Sequence, residues 1–172
     1  MKQKVSDYVA DFLADRGIRH VFGIIGAGNV RIFEAIAARG YTEIICVHHE
    51  QAACMAMQVY YRLTGQITAS LLTTGAGSTN SITGIVSAWA DSIPCVVISG
   101  NEASKHARAD NPLRMWGVQG YDSTEMVSKV CKHVSRLHDP KDIKQELEAA
   151  FHIAGSGRPG PCWLDIPMDF QG

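Results

Sequence analysis

The chain has 172 residues, and 16 Lys and Arg against 17 Asp and Glu give a formal charge of −1. That length permits one domain with a full-sized core, and the near-zero charge argues against a nucleic-acid binder, which carries a basic excess. A hydrophobic content of 46% excludes a disordered chain, and no apolar run reaches the roughly 18 residues that a membrane span needs.

The first residues are polar and charged, unlike an apolar signal segment. Val5, Tyr8, Val9, Phe12 and Leu13 share one face of a predicted helix stopped by Gly17. A β-like run over 21–24 follows, then a helix marked by Ile32, Phe33 and Ile36 and ended at Gly40. A second run, 44–47, leads to a long helix over 50–63, free of Gly and Pro and closed by Gly65. A third run, 67–72, precedes a helix over 78–91 that contains Gly84, and a fourth run spans 95–98. Residues 101–122 form the longest irregular stretch, the kind of loop that carries function or moves. A weaker run, 133–137, precedes a helix capped by Asp139 with Pro140 in its first turn, whose apolar face is Ile143, Leu147, Phe151 and Ala154. The last run is 162–166.

Over the first hundred residues the strand centres recur about every 25 residues with a helix in each gap, the rhythm of βαβ units. The expectation is an α/β fold: an open, mostly parallel six-stranded sheet with helices on both faces, forming one domain over 1–172. The short apolar runs predict strands buried on both sides. The five cysteines form no C-x-x-C pair. Cys46, Cys95 and Cys162 lie in apolar runs and read as reduced core thiols of a cytoplasmic protein. No metal site is expected: the paired spacing of a zinc site is missing, and His48-His49-Glu50 does not form H-E-x-x-H.

Ligands of open α/β sheets collect at the carboxyl ends of the strands. Four such ends here carry Gly, polar or ionisable residues: Ile25-Gly26-Ala27-Gly28-Asn29, His48-His49-Glu50-Gln51, Thr73-Thr74-Gly75-Ala76-Gly77-Ser78-Thr79-Asn80 and Ser99-Gly100-Asn101-Glu102. Gly75-Ala76-Gly77 follows the third strand and lacks a third Gly, so it is either a tight turn or a binding loop, and it departs from a dinucleotide fingerprint. Glu50 opens a helix whose next residues are small or apolar. It is either a glutamate serving the helix dipole or a carboxylate in an apolar cleft poised for acid–base work.

With these residues stand Phe22-Gly23, Tyr60-Tyr61-Arg62-Leu63-Thr64-Gly65, Asp91-Ser92-Ile93-Pro94, Gly157-Arg158-Pro159-Gly160-Pro161 and Leu164-Asp165-Ile166-Pro167-Met168-Asp169. In order and spacing the set resembles the N-terminal, pyrimidine-binding domain of thiamine-diphosphate enzymes of the acetolactate synthase and 2-oxoacid decarboxylase type, over nearly the whole chain. The resemblance implies that Glu50 hydrogen-bonds N1′ of the cofactor's aminopyrimidine, so that the 4′-nitrogen can take the thiazolium C2 proton before attack on a 2-oxoacid and loss of carbon dioxide. It implies that Ile24, Ile25 and Gly26 lie against the pyrimidine and that Thr73, Ala76 and Asn80 line the same pocket. Gln119 resembles the glutamine of the family's F-Q-E segment, which faces the reacting carbon; the bland alternative is an ordinary loop residue. His49 is expected near the substrate.

The chain departs from the family at Ile25 and Ala76, where proline is common, and at Val118 and Gly120, which flank Gln119 in place of Phe and Glu. These departures leave donor and acceptor open. Relatives anchor the diphosphate through Mg²⁺ and a G-D-G…N segment, and no Gly-Asp-Gly occurs here. The diphosphate-binding domain is therefore expected as a partner, on a longer chain or a second subunit, with Gly172 near a domain boundary. A homo-oligomer, a 2-oxoacid substrate, and no nucleic-acid or membrane partner are expected, with FAD use left open. The alternative is a non-catalytic relative that binds a small ligand or a partner protein.

Overall fold

The computed structural model describes residues 3–107 and 111–172; positions 108–110 of the expected 101–122 loop lie outside the described residues. In chain order the elements are α1 (Val5–Asp15), β1 (His20–Gly23), α2 (Val30–Arg39), β2 (Glu43–Cys46), α3 (Glu50–Thr64), β3 (Ala69–Leu72), α4 (Ala76–Thr79), α5 (Ile82–Ala90), β4 (Cys95–Asn101), α6 (Ser123–Val127), β5 (His133–Arg136), α7 (Ile143–Gly155) and β6 (Pro161–Pro167). A short 3₁₀ turn at Pro140–Asp142 precedes α7, and the Asp139 side chain caps it by accepting from Lys141 N–H at 2.9 Å.

The six strands form one sheet in the order β2-β1-β3-β4-β6-β5, and every pairing is parallel. The sheet is thus more regular than the mostly parallel one expected. Alternating side chains feed two cores, as the two-residue strand repeat requires. Val21, Leu71, Val96, Ile98 and Leu164 pack against α1, α2 and α7. Phe22, Leu72, Val97 and the fully buried Trp163 pack against α3, α5 and Val127 of α6.

The expectations for the second strand and for Cys46 fail at the sheet margin. The edge strand β2 is largely exposed, and Cys46 with it, so this thiol is not a core residue. The other edge strand, β5, is only half-buried. An apolar run signals a strand but not its place in the sheet, and an outermost strand has a neighbour on one side only.

The expected helix over 78–91 starts two residues earlier and divides into α4 and α5. Ser78 Oγ donates to Gly75 O and Ser81 Oγ to Ser78 O, and such local bonds compete with the helical ladder. Gly84 stays inside α5 because α3 lies against it: a Cβ there would sit 2.6 Å from the Cys54 Cβ. Gln58 fastens that crossing by donating to Cys54 O and Gly84 O at 3.1 and 2.8 Å.

Candidate functional site

In-register parallel pairing puts every carboxyl end on one edge of the sheet. Gly23 lies beside Cys46 and Leu71, and Leu72 beside Ser99. From β1 the chain runs through α2 to β2, whereas from β3 it runs through α5 to β4 in the opposite direction. A crevice opens where neighbouring connections diverge, so the ends of β1 and β3 frame the candidate site.

The turn after β1 is held rigidly. Fully buried Asn29 accepts from Gly26 N–H at 2.8 Å and donates to Ile24 O at 3.0 Å. Gly26 and Gly28 rest on β3's end: a Cβ at Gly26 would lie 2.6 Å from Thr73 Cγ2, and Gly28 N–H donates to Thr73 Oγ1 at 3.1 Å. Ile24 is half-buried, whereas Ile25 is 54% exposed.

Glu50 is the first residue of α3 and is buried. Its Oε2 accepts from Asn80 Nδ2 at 3.0 Å. A Cβ on Gly77 would stand 3.4 Å from Glu50 Oε1 and 2.6 Å from Thr73 Cγ2. Glu50, Thr73, Gly77 and Asn80 therefore meet at one place, with a bare glycine backbone packed between Thr73 and Glu50. Gly75 makes the turn into α4 with φ +65°, a conformation open to Gly and strained for most other residues.

Gln119 comes to the same turn from a different segment. Its Nε2 donates to Thr74 Oγ1 at 3.2 Å, and its Cδ lies 2.9 Å from the position of a Cβ on Gly75. Ala76 is exposed beside this contact. His49 is exposed, and its Nδ1 accepts from Gln51 N–H at 3.2 Å, so the ring caps α3. Among the described residues, no group of three or more His, Cys, Asp or Glu could hold a metal ion, and no helix is long and apolar enough to cross a membrane.

Sequence reasoning passed over several residues that shape this edge. Gly77 stands in the sequence as part of a turn or binding loop with no partner assigned, and its place beside Glu50 appears once α3 and α4 meet. Tyr121 hydroxyl lies 2.6 Å from Ser78 Oγ, and burial raises its pKa although the Ser78 bond lowers it. Asn101 donates to Tyr121 O and to fully buried Asp165, which also receives Arg136 Nε at 3.1 Å. Burial raises the Asp165 pKa, outweighing the Asn101 and Arg136 bonds. Arg136 also pairs with Asp122 at 2.8 Å and lies 4.7 Å from the Trp116 ring centre. Burial pushes the Asp122 carboxyl up, but bonds from Thr124, Glu125 N–H and Arg136 together hold its pKa below the ordinary value. Local spacing carried no signal for these contacts.

Comparison with known proteins gives a consistent result. The family model described as "Thiamine pyrophosphate enzyme, N-terminal TPP binding domain" matches residues 3–130. The acetolactate synthase large subunit of Haemophilus influenzae is 40% identical over 164 residues, 95% of this chain and 28% of that protein. The acetolactate synthase isozyme 3 large subunit of Escherichia coli is 37% identical over 167 residues, 95% of this chain and 28% of that protein. The chloroplastic acetolactate synthase 2 of Nicotiana tabacum is 32% identical over 172 residues, 98% of this chain and 24% of that protein. The chain thus spans no more than 28% of the length of these relatives.

Proposed function

Because the chain belongs to the N-terminal TPP-binding domain family of thiamine pyrophosphate enzymes, we propose that it is the pyrimidine-binding half of a thiamine-diphosphate-dependent 2-oxoacid carboligase or decarboxylase of the acetolactate synthase kind. The observation that carries this reading is the buried Glu50 carboxylate, held by Asn80 beside the bare backbone of Gly77 and the side chain of Thr73. A planar ring can approach bare glycine backbone closely, and a carboxylate sheltered from water can share a proton with a weakly basic ring nitrogen. The residues present therefore fit an aminopyrimidine.

When bound, thiamine diphosphate supplies the carbanion chemistry that lets a 2-oxoacid lose carbon dioxide. The work of this chain is to bind, orient and move a proton. Glu50 holds and relays the proton at its carboxyl group. Asn80 fixes the rotamer of that carboxyl, so Glu50 meets the ring in one orientation. Thr73, Gly26 and Ile24 bound the ring from the ends of β1 and β3, with Ile25 and Ala76 at the exposed mouth. Gln119 stands at the substrate side, against Thr74. His49 acts through its cap on α3, which sets the start of the helix that carries Glu50.

The diphosphate and its Mg²⁺ would be held by a partner domain, and the complete site would lie between subunits. Exposed Met55 and Val59 on α3 and Val86 and Trp89 on α5 support a homo-oligomer joined through these helices. The absence of disulfides among the five cysteines supports a reducing, cytoplasmic setting. The alternative of a non-catalytic binding relative has no observation in its favour.

The test is pyruvate decarboxylation by the chain joined to a diphosphate-binding domain, with Glu50→Gln alongside. The expected loss is at least about 100-fold, the usual worth of a positioned acid–base group. An unchanged rate in the variant would remove the proposed role of Glu50.

A further inference from the structure

Residues 116–120 form a small hairpin: Trp116 N–H donates to Gly120 O at 2.6 Å, and Gly120 N–H to Trp116 O at 2.7 Å. The three residues between them present Val118 N–H and Gln119 N–H to one acceptor, Glu102 Oε1, at 3.3 and 3.4 Å. Consecutive N–H groups turned to one point make a nest for an anionic group. Both glycines of the hairpin lie against the same side chain, and Gly117 also has φ +56°, which by itself favours glycine. A Cβ on Gly117 would overlap the Glu102 carboxylate, and a Cβ on Gly120 would overlap its Cγ.

Glu102 stands just past the carboxyl end of β4, where its own N–H donates to Asn101 Oδ1 at 2.9 Å. Asn101 Nδ2 in turn donates to Tyr121 O at 3.1 Å. Two neighbouring residues at one strand end thus grip the segment 118–121 from both sides. The gripped backbone turns the Gln119 side chain the other way, onto Thr74 and Gly75.

We infer that Glu102 is the positioning residue for Gln119, and that Gly120 is glycine so that the Glu102 side chain can enter the hairpin. Where the F-Q-E pattern has a glutamate directly after the glutamine, this chain has Gly120, and the Glu102 side chain, from just past β4, fills the space beside it. The catalytic consequence rests on the reading of Gln119 as the residue facing the reacting carbon; the positioning itself does not.

Amide hydrogen exchange at Val118 and Gln119 tests the inference on this chain without cofactor, with the amides of β4 as an internal control for folding. Glu102→Ala is expected to speed exchange at both positions by about fivefold or more, with β4 unchanged. Glu102→Gln keeps an oxygen acceptor and is expected to restore most of the protection. Gly120→Ala, whose methyl would displace Glu102 and also stand 2.9 Å from Trp116 O, is expected to speed exchange at both positions and stands in should Glu102→Ala not fold. Unchanged exchange in Glu102→Ala, or equal losses in the Ala and Gln variants, would overturn the inference. In the completed enzyme, Glu102→Ala is expected to lower kcat while leaving apparent thiamine diphosphate affinity within about twofold, because the Glu50–Asn80 contact is untouched. Loss of cofactor affinity with intact kcat would count against a role through Gln119.

Discussion

Glu50 Oε2 accepts a hydrogen bond from Asn80 Nδ2 at 3.0 Å, joining the first turn of α3 to the break between α4 and α5 across 30 residues of sequence. The break lets Asn80 serve this contact, and the contact gives the carboxylate a defined orientation. Removing the donor with Asn80→Ala leaves a buried carboxylate with one bond fewer. The expected destabilisation is about 1 kcal/mol, a fall in Tm of about 2–4 °C for a chain of this size. Thermal unfolding checks it, and a Tm within 1 °C of the parent would show the bond to be dispensable, on the order of the effect of a surface substitution.

Gly77→Ala puts a methyl group 2.6 Å from Thr73 Cγ2 and 3.4 Å from Glu50 Oε1. Relief requires α4 or Thr73 to shift, at a cost of about 1–3 kcal/mol. The methyl also stands against the Glu50 carboxylate, so cofactor affinity of the completed enzyme is expected to fall together with stability. Calorimetric titration with thiamine diphosphate measures the first, and denaturant unfolding the second. Full cofactor affinity in the variant would place the ring elsewhere.

The two carboxylates around Arg136 are expected to respond to acid with opposite signs. The Asp122 pKa is depressed from its ordinary 3.8 in the folded chain, so its contribution is fully present above that value and is lost as pH falls through the folded value. Asp165 is raised, so in the window between 3.8 and its folded value the native state binds more proton and gains stability as pH falls. Melting curves between about pH 7 and pH 3 should show the gap between parent and Asp122→Asn closing in acid, whereas the gap to Asp165→Asn widens. The same trend in both variants would contradict this assignment.

Of the five cysteines, Cys46 is exposed on β2 and the others are buried. Burial pushes the Cys54 thiol up to about 12 and Cys162 up to about 11, leaving both protonated and sheltered at neutral pH. A thiol reagent at about pH 8 should therefore modify a single residue of the native chain, at Cys46, and all five after unfolding in guanidinium. Mass spectrometry of the labelled peptides locates the sites. Rapid native labelling of Cys54 would mean that α3 opens easily from the sheet.

The layered architecture was legible in the sequence because its signals are local. Val9, Leu13, Leu147 and Phe151 repeat at helical spacing, and each is buried on the face that the repeat marks. Asp139-Pro140 announced the start of the last helix, and Gly65 closed α3 in the left-handed conformation. The edge of the sheet that carries Glu50, Thr73 and Asn80 followed from strand direction alone. Cys46 shows where such reasoning stops: its apolar neighbours signal a strand, while its exposure follows from β2 being outermost.

By itself, the sequence determined the alternation of strands and helices, the side of the sheet on which polar residues gather, and the family to which those residues belong. Tertiary structure alone decided that Asn80 turns to Glu50, that Gly77 packs between Thr73 and Glu50, and that Glu102 reaches the N–H groups of Val118 and Gln119. The reason is physical. Periodicity reports which face of an element is apolar, whereas contacts between strand ends depend on strand order and on helix placement over the sheet, and neither is written in the spacing of residues along the chain.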